Sequence, residues 1–215
     1  MKKFWRHNGL SVVLLGLFLI TLIAGQFLTG RLEYNEERAE RGQPALGLAE
    51  YAGSAHFVEA TMENWESEFF QMFLYVVLTV FLFQKGSAES NEPDNPRKKE
   101  PPLTKRSPWA ARRGGWVRAL YAHSLSLAFL ALFLVSFLLH AAGGARLRNE
   151  EEAAHGSAPQ GMFEYMVSSR FWFESFQNWQ SEFLAIGSMV VLSIFLREKG
   201  SPESKPVNLP HADHE

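Results

Sequence analysis

The chain contains no cysteine among its 215 residues, which excludes disulfides and thiol redox chemistry. It also lacks the H-E-x-x-H, P-loop, G-x-S-x-G and Rossmann glycine motifs. No nucleophile–base pair and no full set of metal ligands is recognisable in the sequence. These absences disfavour an enzyme, and the sequence predicts neither a cofactor nor a metal site.

Charge is almost absent from two long segments, residues 9–28 and 119–142, of which the second contains no acid, lysine or arginine and only two histidines. A hydrocarbon layer about 30 Å thick requires about 20 apolar residues in a helix. Two shorter apolar runs occupy residues 69–83 and 183–196. The mean hydropathy is only -0.12, because the charges are bunched between these runs. We therefore predict an all-α integral membrane protein with four transmembrane helices.

The chain also repeats itself. At an offset of 114, residues 64–90 and 178–204 share 15 of 27 identities, whereas about one or two would arise by chance. Each repeat consists of a long apolar run, an acidic loop, a short apolar run and a basic exit. The predicted domains are a first two-span repeat (1–90), a basic, Pro-rich linker (91–115), a second repeat (116–204) and a tail (205–215). Two spans per repeat predict a tandem, parallel duplication.

Lysine and arginine counts set the expected orientation, because cytoplasmic loops carry the excess of positive charge. The N-terminal tail has three, the central loop 84–118 has nine and the C-terminal tail has three, while the other two loops are acidic. We therefore expect an inner-membrane protein with both termini cytoplasmic. The same rule explains the basic loop without nucleic-acid binding, so the lipid bilayer is the expected partner.

The motifs "NWESEF" and "NWQSEF" stand at the head of the short spans. Spans of 20 residues counted back from residues 83 and 196 begin near these motifs. The motifs predict three pairs of features at equivalent positions: helix caps at Asn64 and Asn178, interfacial anchors at Trp65 and Trp179, and a polar pocket of Glu68 and Glu182 with Ser67 and Ser181.

Two interpretations of the glutamate pair stay open. In the first, Glu68 and Glu182 only favour the start of a helix, where the macrodipole stabilises negative charge. In the second, they face a shared polar pocket on an ion or proton path, since intramembrane carboxylates are functional candidates by default. Glu66 is replaced by Gln180 in the second repeat, whereas Glu68 is retained as Glu182.

Aromatic and apolar residues at helical spacing form a stripe before each motif. Each stripe is either a short interfacial helix on the outer face, which the predicted asparagine caps favour, or an outward extension of the span that follows. The exits "KGSAES" and "KGSPES" also match. Gly86 and Gly200 are predicted to end the preceding helices, and the trailing Ser-x-Glu-Ser is expected to be a solvated turn.

The duplicated W-x-S-E-F motif, with "GSAHFVEATMENWESEF" and "SSRFWFESFQNWQSEFLA", resembles an uncharacterised bacterial membrane-protein family classed as a domain of unknown function. The resemblance covers almost the whole chain. It implies a bacterial inner-membrane location and transfers no catalytic or binding residue.

Two functions remain after these exclusions. One is permeation of ions, protons or small solutes through the paired glutamates, and it would require a homodimer because four spans are few for a transporter. The alternative is a non-enzymatic structural or interaction protein of the cell envelope.

Overall fold

The structure, a computed structural model, describes residues 2–92, 101–153 and 158–211. Within these ranges every regular element is helical. We number the α-helices in chain order, and a π-helical segment, Thr21–Thr29, joins the first two. Their bounds are α1 Lys2–Ile20, α2 Gly30–Glu40, α3 Leu48–Ala52, α4 Ala55–Phe81, α5 Trp109–Arg113, α6 Gly115–Ala122, α7 Ser124–Ala153, α8 Met162–Met166 and α9 Ser169–Phe195.

Two helical stretches are long and apolar enough to cross a membrane. One is Lys3–Glu40, in which α1, the π-helical segment and α2 run on without a break, and the other is α7. Neither stretch contains a proline, so the backbone hydrogen bonds are made within each helix while the side chains can face hydrocarbon. The predicted all-helical fold is confirmed, and the two longest apolar runs form candidate membrane-spanning helices.

α4 and α9 are each 27 residues long, and both their first and last residues differ by 114 in number. The short helices α3 and α8 differ by the same number. A serine precedes both long helices. The Ser54 hydroxyl accepts a hydrogen bond from the backbone N–H of Phe57 at 3.2 Å, and the Ser168 hydroxyl accepts one from Phe171 at 3.3 Å.

The predicted helix caps at Asn64 and Asn178 are therefore wrong, because both residues lie well inside α4 and α9. Ser54 and Ser168 cap the observed helix starts. No glycine or proline interrupts either helix between the serine and the asparagine. The apolar and aromatic stripes that precede the two motifs continue directly into α4 and α9, which is the second of the two predicted arrangements and not a pair of separate interfacial helices. The short helices that the structure contains, α3 and α8, precede the stripes.

The chain divides into two compact units. Unit 1 comprises Met1–Met62 and Leu139–Met166, and its buried cluster contains Tyr34, Tyr51, Ala55 and Leu147 with Phe27, Leu46 and Phe57 packed against it. The aromatic rings meet at tilted or edge-on angles, which is the favoured arrangement for their quadrupoles.

Unit 2 comprises Glu63–Leu138 and Val167–Glu215. Aromatic side chains from α4, α7 and α9 form its centre. The Phe70 ring lies 4.9 Å from Phe133, 4.4 Å from Trp179 and 6.0 Å from Phe183, measured between centroids. Unit 2 is therefore held together by apolar ring contacts among three helices that the sequence places far apart.

The predicted linker 91–115 contains one helix, α5, and its residues 93–100 lie outside the described residues. In the predicted tail 205–215, the side chain of Lys205 is buried, and its ammonium donates to the backbone oxygen of His211 at 2.7 Å. The last four residues of the tail also lie outside the described residues. A buried lysine bonded in this way shows that the start of the tail is part of the fold.

Candidate functional site

Unit 1 buries an acid and an imidazole side by side. Glu59 on α4 is 8% exposed, and His140 on α7 has no exposed surface. The ligand atoms of these two side chains lie within 4.8 Å of each other. Burying a carboxylate is costly unless a partner offsets its charge, and an imidazole that can take up a proton is such a partner.

A glycine explains why the two helices approach so closely at this point. A Cβ atom at Gly143 would lie 2.8 Å from the backbone nitrogen of Glu59 and 3.0 Å from its Cα. His140 stands three residues before Gly143, so both lie on the face of α7 that meets α4. The glycine thus brings the two backbones together, and the histidine on the same face meets the glutamate.

A second polar contact in unit 1 involves the π-helical segment. The Gln26 side-chain amide donates to the hydroxyl of Thr61 on α4 at 2.9 Å, and Thr61 is buried. Gln26 lies within Thr21–Thr29, and π-helical turns are frequent at functional sites. Gln26 and His140 are each a polar side chain within a long and otherwise apolar helical stretch.

Tyrosines pack against glycines in the same unit. A Cβ at Gly30 would lie 2.5 Å from the Tyr51 hydroxyl, and a Cβ at Gly144 would lie 2.7 Å from the Tyr165 hydroxyl. These pairs are again separated by 114. Burial, followed by the charge of Glu33 and then Tyr34, raises the pKa of Tyr51 to about 12. Tyr51 is therefore neutral at physiological pH, and its hydroxyl hydrogen-bonds His56 Nδ1 at 3.1 Å.

The loops after α2 and α7 contain one further matched pair of hydrogen-bonded contacts. The side chain of Asn35 both donates to and accepts from the backbone of Leu46, at 3.1 and 2.7 Å. Asn149 makes the same two bonds to Gln160, both at 2.9 Å. Each asparagine thereby closes the loop between its long helix and the short helix that follows.

The four residues of the predicted glutamate pocket lie in unit 2, where the structure places them differently from one another. Glu68 is exposed, Glu182 is partly buried, and Ser67 is buried while Ser181 is exposed. Both serine hydroxyls donate to the backbone of their own helices, to Asn64 and Asn178 respectively, at 2.8 Å. The serines therefore hydrogen-bond the residue three positions earlier.

The buried acid of the first motif is Glu66. It has no exposed surface, and its carboxylate accepts a hydrogen bond from the indole N–H of Trp179 at 3.1 Å. Trp179 is half-buried and packs against Phe70 and Phe133, and its role as an interfacial anchor stays a prediction. Trp65 is half-buried and stacks edge-on against Phe69.

The exit loops of unit 2 explain the repeated Ser-x-Glu-Ser. The hydroxyl of Ser90 accepts from the backbone N–H of Gln84 at 2.7 Å, and that of Ser204 accepts from Glu198 at 2.8 Å. α4 and α9 end before these loops, at Phe81 and Phe195. The repeated serines therefore satisfy backbone donors just beyond the helix ends.

The predicted glycine caps lie further along these loops. Gly86 and Gly200 have φ angles of +84° and +89°, in the left-handed region that favours glycine, but the helices end five residues earlier. A Cβ at Gly86 would collide with the backbone oxygen of His211. The glycines are therefore turn residues of the exit and not the immediate helix caps.

Two acidic residues of the exit loops also meet. The Tyr75 hydroxyl donates to the Glu89 carboxylate at 2.7 Å. A hydrogen bond to Glu89, then the charge of Glu89 and then burial raise the pKa of Glu203 above its ordinary value. Glu89 and Glu203 are equivalent positions of the two repeats, so this contact joins the same loop residue of each.

Sequence reasoning missed the buried acids, although a signal was present. Glu59 and Glu66 are seven residues apart, which places both on one face of α4. His140 interrupts an apolar run of α7. Glu66, which corresponds to Gln180, turned out to be buried, whereas Glu68, which is retained as Glu182, is exposed. The position that differs between the two motifs was therefore the informative one.

Among the described residues of unit 1, Glu59 and His140 offer the donor types that proteins use to hold a proton or a divalent metal. No curated protein and no solved structure matches the chain. A family profile matches over residues 1–215. The chain therefore belongs to the family described as a domain of unknown function, DUF6766.

Proposed function

We propose that this chain is a four-span protein of the inner membrane, built by tandem duplication, that binds a cation at Glu59 and His140 and passes it across the membrane. Two of the four spans are Lys3–Glu40 and α7. α4 and α9 are the other two, since 27 residues give a helix about 40 Å long, which exceeds a 30 Å hydrocarbon layer.

The duplication is supported by contacts that recur at one offset. The Asn35 and Asn149 loop bonds and the Ser90 and Ser204 exit bonds join equivalent atoms in the two repeats, with distances that agree within 0.2 Å at each matched bond. Unrelated segments have no physical reason to place the same side chain on the same backbone group at the same spacing.

The orientation rests on the segment before α7. No acidic residue occurs between positions 101 and 149, and the exposed Trp109 and Trp116 flank the basic residues Arg112 and Arg113. Exposed tryptophan beside arginine is typical of a segment at the cytoplasmic membrane surface. Both termini and the linker 91–115 are then cytoplasmic. Glu59 lies near the outer end of α4, and His140 lies near the outer end of the apolar run 119–142.

Single cysteines test this topology in the cysteine-free chain. We expect Ala45→Cys and Ala158→Cys to be labelled by a membrane-impermeant maleimide in intact cells, and Asn95→Cys only after the cells are permeabilised. Labelling of Asn95→Cys alone in intact cells would reverse the orientation, and equal labelling of all three would contradict a membrane protein with these loops.

One observation carries the cation function: Glu59 and His140 are both buried, on adjoining helices, with ligand atoms within 4.8 Å. Ionisable side chains inside apolar helices are costly and mark ion or proton pathways. The exposed Glu68 lacks this burial. The structure therefore favours a different acid from the glutamate pair that the repeated motif suggested.

Purified protein reconstituted in liposomes tests the function. Dyes trapped inside report proton and divalent-cation entry driven by a membrane potential. We expect entry with the wild-type protein, and its loss in Glu59→Gln and His140→Gln. The matched control is the double variant Glu68→Gln with Glu182→Gln, which should conduct like wild type. Absence of any cation entry with folded wild-type protein would contradict permeation and leave an interaction role in the envelope.

A further inference from the structure

We infer that the cation held in unit 1 is a first-row divalent metal ion, with the Glu59 carboxylate and the His140 imidazole as two of its ligands. This inference rests on the proposed function and names the ligand of the same site. Imidazole suits zinc, iron and nickel, whereas carboxylate suits manganese and magnesium, so the mixed pair favours borderline ions such as Zn²⁺, Fe²⁺ or Mn²⁺. Sodium and potassium have no comparable preference for an imidazole nitrogen.

The separation of the two side chains fits one shared ion. Ligand atoms about 2.0–2.2 Å from one metal lie at most about 4.4 Å apart. The ligand atoms of Glu59 and His140 lie within 4.8 Å of each other, so a rotation of the side chains is enough to bring both onto one ion.

The helices that carry the ligands are held in place by backbone contact. A Cβ at Gly143 would lie 2.8 Å from the Glu59 backbone nitrogen, which leaves no room for α7 to move closer or rotate freely against α4. Burial of both side chains excludes bulk water and strengthens their attraction for a cation. A site built from a rigid helix crossing is preorganised for binding.

The same geometry also suits a carboxylate–imidazole pair that shares a proton and binds no metal. Its behaviour on adding metal differs, because such a pair shows no saturable binding and no ligand-dependent stabilisation. The other described histidine with close partners in unit 1, His56, supplies a matched control. Its ring stacks on Tyr34 at 4.6 Å between centroids and hydrogen-bonds Tyr51, so its loss removes an imidazole from the same unit without touching the pair.

The experiment titrates Co²⁺, a spectroscopic substitute for zinc, into chelator-treated protein in detergent and follows its visible absorption. Thermal unfolding is measured in parallel with Zn²⁺ and Mn²⁺. We expect saturable binding at one site per chain and a Tm that rises with metal concentration. Glu59→Gln and His140→Gln should weaken binding by more than about 10–100-fold, the loss seen when even indirect partners of a metal ligand are removed. His56→Gln should bind like wild type.

Lack of saturable binding by the wild-type protein would overturn the inference, as would unchanged affinity in both Glu59→Gln and His140→Gln. If His140→Gln does not fold, Glu59→Gln alone decides, with Glu59→Asp expected to retain part of the affinity. The liposome assay separates the two proposals. Proton entry without metal binding would contradict the metal inference and support the proposed permeation. Metal binding without any cation entry would contradict permeation and support the metal site.

Discussion

α4 and α9 have the same length, and their first and last residues both differ by 114 in number, but the two helices differ in what they bury. α4 buries Glu59 and Glu66, while the equivalent positions on α9 are the exposed Phe173 and Gln180. The turns around both helices, in contrast, use the same side chains for the same hydrogen bonds. The side chains that close the loops and satisfy the helix ends are the same at positions 114 apart. The buried acids differ between these positions, and they are the better guide to function.

The largest effect is expected from a larger side chain at Gly143, which would disturb the helix crossing that buries Glu59. Gly143→Ala places a methyl group against the Glu59 backbone, and overpacking of this kind costs about 1–3 kcal/mol. We expect a lower Tm and weaker cation binding. Gly16→Ala in α1 is the control, because a Cβ there meets nothing within 4 Å and alanine favours the helix. Equal stability of the two variants in thermal unfolding would contradict a tight helix crossing.

The next largest effect is expected from removal of Glu66, whose loss should lower the stability more than the loss of Gln180 at the corresponding position of α9. Glu66→Ala deletes the fully buried acceptor of the half-buried Trp179 indole, at a cost of about 1–3 kcal/mol. Gln180→Ala, at the equivalent exposed position, should change stability by less than about 0.5 kcal/mol. Denaturant unfolding in detergent measures both. A cost for Gln180→Ala as large as that for Glu66→Ala would mean that the two positions are equivalent after all.

The shared exit turns should respond alike. Ser90→Ala and Ser204→Ala each remove one hydrogen bond to a backbone N–H, worth about 0.5–1.5 kcal/mol. We expect two nearly equal losses in the free energy of unfolding, and a double variant that shows their sum. Ser181→Ala, which removes an exposed hydroxyl from the middle of a helix, is the control. A lower free energy of unfolding in only one of the two variants would show that the two similar hydrogen bonds do not contribute equally to stability.

The smallest expected effect concerns the acids at the exits. The pKa of Glu203 is raised in the folded protein, chiefly by its hydrogen bond to Glu89 and the charge of that residue. The folded state therefore holds this proton more tightly than the unfolded state, so stability falls as pH rises through the raised pKa. Glu203→Gln should remove that fall, whereas Glu36→Gln, at an exposed position, should keep it. Unfolding midpoints measured from pH 4 to 8 on the two variants check the sign.

Part of the candidate site could be read from the sequence because it depends on residues close together in the chain. Glu59 and Glu66 share a helix face at a spacing of seven, and His140 stands out within its apolar run. The meeting of Glu59 with His140 could not be read, since it joins residues that are far apart in the chain. That contact depends on Gly143, which allows the backbone of α7 to approach Glu59. The sequence does not show that a glycine is needed there, because the need arises from the position of α4.

The sequence by itself determined the helical class, the long apolar segments and the offset of 114 between matching residues, because each follows from local periodicity, composition or self-comparison. It misplaced the starts of α4 and α9, since a serine eight or more residues upstream can cap a helix as well as an asparagine can. Only the tertiary structure decided which acids are buried. Burial depends on the rotation of each helix against its neighbours, and in this protein the tight glycine contact of Gly143 and the Phe70–Trp179 packing set that rotation.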